Sequence, residues 1–348
     1  MLIFLLIAIF LTLLLLYANG SGSRMNVTEE QRAFCRRMGY EITNPSIVTY
    51  GQLGKMGRLG NQLFEIAATL AVAKVNRCRV VFSESIAQLP VYRMFDLDLP
   101  LVPSLSWDVN VWEQSNFDPV IIPPDGRVYN INGYRQSMKY LEPIQYKLRD
   151  VFSLREKRRK GNYIAIHIRR TDCVKPNPVR RFFDEGLNCS LQYYREAIAR
   201  LRKEHHLSED TPVLVATDDR EWVGERLSEI DRTAELSPEG SSEDDFVCLC
   251  SASYLVVSNS TFSLWAALLS DVKPDCIVAP SLWWHPNNKV ARLLTLGEQH
   301  TCPEDWLFND PITGERVEYA YHWSDYQPSW WERKLRSVCT ANLLRYWN

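Results

Sequence analysis

Between residues 163 and 280 the chain alternates short apolar runs with helical patterns, which leaves few folds open to it. Strand-like runs cover 163–168, 212–217, 254–258 and 275–280. Helical spacing covers about 190–204, 220–229, 242–252 and 261–270. Strands that alternate with helices build a parallel sheet with right-handed crossovers. A sparser unit comes earlier. Ser46–Tyr50 reads as a strand, 51–60 as a glycine-rich loop, Asn61–Lys74 as a helix, and Arg79–Ser83 and Val128–Asn132 as strands. Residues 84–127 are rich in Pro and Trp and read as irregular. The expected fold is α/β, with two Rossmann-like halves (46–158 and 159–300) facing a cleft. The remaining 301–348 is an aromatic tail expected to pack back across both halves.

The first 17 residues carry no charge. As a helix they would span about 26 Å, close to the core of a thin bilayer. An uncleaved signal anchor is favoured over a signal peptide cut after Ala18–Gly20. Residues 18–45 read as a polar stem without period. Either reading places the rest of the chain in the secretory lumen, where some of its nine cysteines should pair. Sequons stand at Asn26, Asn188 and Asn259. The first two are expected to carry glycans, and Asn259, between a strand and a helix, is not. Cys248-Leu-Cys250 has a poor zinc spacing, and no C-x-x-C occurs, so no metal site is expected. A net charge of −2 gives no reason to expect nucleic acid as a partner.

Three strand ends carry chemistry. His167-Ile-Arg-Arg-Thr-Asp172 follows the buried run Tyr163–Ile166. Adjacent arginines at such a place call for an anion, because a guanidinium fork matches phosphate oxygens. The competing reading is an internal ion pair from Arg169 or Arg170 to Asp172. Ala216-Thr-Asp-Asp219 ends the next strand. Asp218 could accept two parallel hydrogen bonds from guanine, while Asp219 suits a helix cap. Val257–Phe262 brings Ser260 and Thr261 to a helix N-terminus, which favours phosphate. Across the expected cleft, Gly57-Arg-Leu-Gly-Asn-Gln62 also opens a helix. Each segment could be an ordinary turn or cap. Together they point to a nucleotide diphosphate.

At this point the chain resembles the α-1,2-fucosyltransferases, glycosyltransferase family eleven. The segments that match are Gly57–Leu63, Gly133-Tyr-Arg-Gln-Ser-Met-Lys-Tyr140, His167–Asp172, Ala216–Asp219 and Asn259–Ala267. The His-x-Arg-Arg-x-Asp segment is shared with α-1,6- and protein O-fucosyltransferases. The resemblance implies a GT-B fold, a type II Golgi membrane protein and GDP-β-L-fucose as donor. It also implies a galactose-terminated glycan as acceptor, and inversion with neither cofactor nor metal. On this reading Arg169 takes the β-phosphate and His167 the nucleotide. Arg58 and Asn61 reach the pyrophosphate or fucose, and Ser260 and Thr261 bind phosphate. Arg170 supports the loop through Asp172. The general base stays open among Asp172, Glu65, Asp184 and Glu185. The Asp96-Leu-Asp98 pair reads as surface polar residues. The segment from Cys173 to Phe183 departs from the family pattern, which leaves the acceptor open.

Overall fold

The computed structural model describes residues 27–55, 57–112, 119–156, 159–170, 188–238, 240–283 and 301–318. The uncharged N-terminal segment, Asn26, Asp172, Asp184, Glu185, Trp323, Trp330, Trp331 and Trp347 lie outside the described residues. Among those described, no helix is long and apolar enough to cross a membrane.

The expected stem contains a helix, α1 (Glu29–Arg37). Thr28 and Gln31 form a reciprocal capping box at its start. Glu29 and Glu30 in the first turn and Arg36 and Arg37 in the last complement its dipole. Phe34, Cys35 and Met38 enter the main core. That apolar stripe is only three residues wide, so the segment reads as polar without a period.

The first sheet is parallel, in the order β2-β1-β6-β5. Its strands are β1 (Ile47–Thr49), β2 (Arg79–Val80), β5 (Val109–Val111) and β6 (Val128–Ile131). Helix α2 (Leu59–Asn76) connects β1 to β2 and is buried along most of its length. The run at 79–83 divides at Val81: β3 (Phe82–Ser83) pairs with β4 (Leu101–Val102) in a separate ribbon. Residues 84–127 are therefore less irregular than expected, because short helical turns and two short strands occupy part of them.

The second sheet runs β13-β12-β11-β10-β7-β8-β9. Its inner strands are β7 (Ile164–Ile168), β8 (Val213–Thr217), β10 (Tyr254–Val256) and β11 (Ile277–Pro280). All lie within the expected runs. Flanking them are β9 (Ala234–Leu236), β12 (Leu307–Asn309) and β13 (Arg316–Val317). Only the β12–β13 pair is antiparallel. Helices α3 (Leu191–Glu204), α4 (Arg220–Gly224), α5 (Ser242–Ser251) and α6 (Thr261–Leu269) alternate with these strands. The described part of the expected tail, 301–318, extends this sheet. Phe308 pairs with Ala279 on one side and Val317 on the other.

The strand orders locate a ligand site. In the second sheet the chain moves from β7 to β8 and β9, then crosses back to place β10 on the other side of β7. In the first it moves from β1 to β2, then places β6 on the other side of β1. Each reversal opens a crevice outside the strands' carboxyl ends, where α/β sheets bind ligands. Both crevices adjoin the helix N-termini of α2 and α6.

No disulfide forms among the described residues: seven cysteines are free, and all but Cys248 are buried. In those positions the thiol behaves as a small apolar side chain.

Candidate active site

The β7–β8 register sets His167 beside Ala216 and Ile168 beside Thr217. Arg169 and Arg170 therefore leave the sheet next to Asp218 and Asp219. The Arg169 guanidinium meets Asp218 Oδ2 at 3.0 Å. The Arg170 backbone N–H donates to Asp218 Oδ1 at 2.8 Å, and its side chain meets Asp219 Oδ2 at 3.1 Å. The ion pairs thus run to the neighbouring strand. Asp172, the partner expected from sequence, lies outside the described residues. Asp218, expected to hold guanine, instead gives one oxygen to each arginine here. Asp219 caps α4 as expected, accepting from the Trp222 N–H.

Trp222 was not anticipated. Its ring lies 3.4 Å from the Arg170 guanidinium carbon, and Arg226 stacks at 4.5 Å. Arg170 is held by a carboxylate, a ring and its own backbone. It shares Asp218 with Arg169, which fixes the two arginines together at the end of β7.

His167 is buried, so it is set back from the cleft expected to hold the nucleotide. Its Nδ1 lies 2.9 Å from the Ser258 hydroxyl, and its ring packs 5.2 Å from Phe262. Burial pulls its pKa down to about 4, against the opposing pull of Asp218, so the ring is neutral near pH 7. His167 ties β7 to the loop after β10. Ser258 was visible only as part of the 257–262 segment.

The helices α2 and α6 pack side by side from their N-termini, Gly60 against Thr261 and Phe64 against Trp265. A Cβ added to Gly60 would lie 2.5 Å from Thr261 Oγ1 and 2.6 Å from the Thr261 carbonyl carbon. Only a glycine allows this approach. The Asn61 side-chain oxygen accepts from Thr261 Oγ1 at 3.1 Å and from Gln136 Nε2 at 2.8 Å. Gly57 has a φ of +74°, and a Cβ there would strike the Asn61 amide. Arg58 is exposed at the N-cap of α2. Ser260 accepts from the Phe262 N–H, a local cap. Asn61 and Thr261 therefore build the junction between the halves, while Ser260 caps α6 locally. Gln136, missed as a site residue, sits within the Gly133–Tyr140 segment that carried the resemblance.

The arrangement gathers positive potential. Two helix N-termini converge, each equivalent to roughly half a unit charge. Arg169 and Arg170 pair with Asp218 and Asp219, and Arg58 adds an exposed positive charge at the N-cap of α2. Such a place stabilises an anion, and charge that develops on a leaving phosphate.

Of the carboxyl groups expected as bases, Glu65 is one turn below Asn61 on α2 and has no exposure. Burial pushes its pKa up to about 9. A neutral, enclosed acid is poorly suited to take a proton from an acceptor hydroxyl, which favours the other candidates over Glu65. Asp96 and Asp98 are exposed, as expected, and pair with Arg155 and Arg37. Asn188 is partly buried, with its amide oxygen enclosed. Asn259 lies between β10 and α6, near the Cys189 thiol.

The chain is similar to several known proteins. Galactoside 2-alpha-L-fucosyltransferase SEC1 of Bos taurus is 26% identical over 242 residues, which cover 62% of this chain and 62% of that one. Alpha-1,2-colitosyltransferase of Escherichia coli is 28% identical over 188 residues, covering 50% and 60%. The chain spans about three fifths of the length of these relatives. A solved structure of POFUT1 in complex with GDP overlays 68% of this chain and 98% of its own, at 13% identity and a TM-score of 0.43. Residues 111–289, just over half of the sequence, match the model of glycosyl transferase family 11, and the chain belongs to that family.

Proposed function

We propose that the protein is a GDP-fucose-dependent α-1,2-fucosyltransferase that acts on the 2-hydroxyl of a terminal galactose. What carries this is the meeting of the α2 and α6 N-termini, with Arg169 at the end of β7, in a chain of this family. The relatives named above share an α-1,2 linkage, which favours that linkage over others. The galactoside in the Bos taurus name supplies the acceptor class.

In this mechanism the donor pyrophosphate lies over the two helix ends. The acceptor hydroxyl attacks the anomeric carbon from the face opposite GDP, inverting its configuration. Negative charge then grows on the β-phosphate, and Arg169 is aimed at it. A guanidinium carries five N–H donors, so the contact to Asp218 leaves it the capacity for a phosphate fork. Arginine and helix dipoles supply the positive charge for which other transferases use a cation. The base belongs to 171–187, where Asp172, Asp184 and Glu185 are the candidates.

The two sheets correspond to the halves of a GT-B enzyme. We place the protein in the Golgi membrane, type II, anchored by the uncharged N-terminal segment, with Asn26 and Asn188 as glycan sites.

The test is an assay of residues 25–348 with GDP-fucose, a terminal β-galactoside and EDTA, with product linkage read by NMR. An α-1,2-linked fucose is expected. GDP release without that product would remove the galactoside assignment. Neither GDP release nor GDP binding would remove the donor as well.

A further inference from the structure

A second cluster of reactive side chains lies far from the cleft. His205 is the C-cap of α3, and Asp275 and Cys276 belong to the 3₁₀ turn Pro274–Cys276 that leads into β11. These residues precede β8 and β11. The cluster is therefore on the N-terminal edge of the parallel sheet, opposite Arg169. One ligand atom from each residue lies within 4.8 Å of the other two. The Cys276 sulfur is 4.0 Å from His205 Nδ1 and 3.6 Å from Asp275 Oδ1.

We propose that His205, Asp275 and Cys276 bind a zinc ion that pins the end of α3 to the start of β11. Zinc bonds of about 2.0–2.3 Å in a tetrahedron set ligand atoms about 3.3–3.8 Å apart. The two sulfur distances need a shift of a few tenths of an ångström at most. The ring is already oriented: His205 Nε2 lies 2.7 Å from the Asp275 carbonyl oxygen. Donation of Nε2–H to that carbonyl leaves the lone pair on Nδ1, directed at the cluster. Ligand histidines are commonly held in this way. The His205 ring also packs 5.2 Å from Tyr254. A mixed nitrogen, sulfur and oxygen set suits zinc and disfavours magnesium or calcium. Cys276 is largely buried and Asp275 exposed, so the fourth position opens to water. Sequence spacing hides the cluster, because His205 and Cys276 are 71 residues apart.

Cobalt(II) is the probe. The reduced, metal-stripped protein is titrated with cobalt and then with zinc. A thiolate-to-cobalt absorption band is expected, bleached by equimolar zinc. Zinc should also raise the melting temperature. Cys276→Ser should lose the band and the zinc-dependent rise. His205→Ala and Asp275→Asn, at less buried positions, should weaken cobalt binding while circular dichroism reports an intact fold. No band in the wild type overturns the proposal, and so does a band that survives in Cys276→Ser. Both readouts are independent of sugar transfer.

Discussion

Arg169 is half-buried and Glu65 fully buried, and their environments dictate different experiments. Arg169 pairs with Asp218, which it shares with Arg170. Arg169→Ala is expected to lower kcat by on the order of 10²–10³ or more, as loss of an oxyanion donor does. Arg169→Lys should not restore it, because an ammonium cannot replace the fork. Steady-state kinetics with GDP-fucose decide this, and near-wild-type turnover by the lysine variant would contradict a forked phosphate contact. Glu65 tests burial instead. Its folded pKa of about 9 lies above the ordinary 4.5. The unfolded chain releases this proton above 4.5 while the folded chain keeps it. Stability from this group is therefore full below 4.5 and declines as pH rises towards 9. At about 1.4 kcal/mol per pKa unit, the cost at pH 7 is on the order of 3 kcal/mol. Glu65→Gln should flatten the fall in stability between pH 5 and pH 8, read from urea midpoints. An unchanged slope would show that Glu65 ionises in the folded state.

At the scale of elements, the critical contact is the meeting of α2 and α6. Gly60→Ala places a methyl group against the backbone of Thr261 and Phe262, which cannot swing aside as a side chain could. Overpacking of this kind costs about 1–3 kcal/mol. The expected outcome is a lower melting temperature together with weaker GDP binding, since the same contact sets the anion cradle. Loss of stability with GDP affinity intact would separate the cradle from the helix junction. The same elements show what sequence can and cannot reveal. The parallel strands β7, β8, β10 and β11 were legible because strands buried on both faces are continuous apolar runs. The helix α1 was not, since three apolar residues and a capping box leave little periodic signal. The site was legible as a set of strand ends, because the chain order puts them at switch points. Partner choice was not. Asp218 went to two arginines and Asn61 to Thr261, 200 residues away. Those contacts follow from strand register and helix approach, which spacing along the chain does not encode.

At the scale of the whole molecule, the division into two halves near residue 158 does not divide the core. One hydrophobic cluster includes Phe64, Phe95 and Phe152 from the first half and Phe246, Leu264 and Trp265 from the second. Trp265 is fully buried, with Phe64 and Phe152 edge-on to it, each at 5.2 Å. Phe95 joins Phe152 and Phe246 in the same way. An aromatic of that size on α6 cannot be covered by its own sheet alone. The second half in isolation would expose it, and each edge-on pair is worth about 0.5–1.5 kcal/mol beyond the area buried. Residues 159–318 expressed alone are therefore expected not to reach a native fold. The whole chain should unfold in one transition that couples both sheets. Trp265→Ala should cost about 3–5 kcal/mol and shift that transition as a unit. Matching chemical-denaturation curves from far-UV circular dichroism and tryptophan fluorescence would establish the coupling. A cooperatively melting 159–318 fragment would show that each half carries its own core. In that case the cleft could open by hinge motion between independent domains. With a shared core, any such hinge motion would have to break the packing of Phe64 and Phe152 on Trp265.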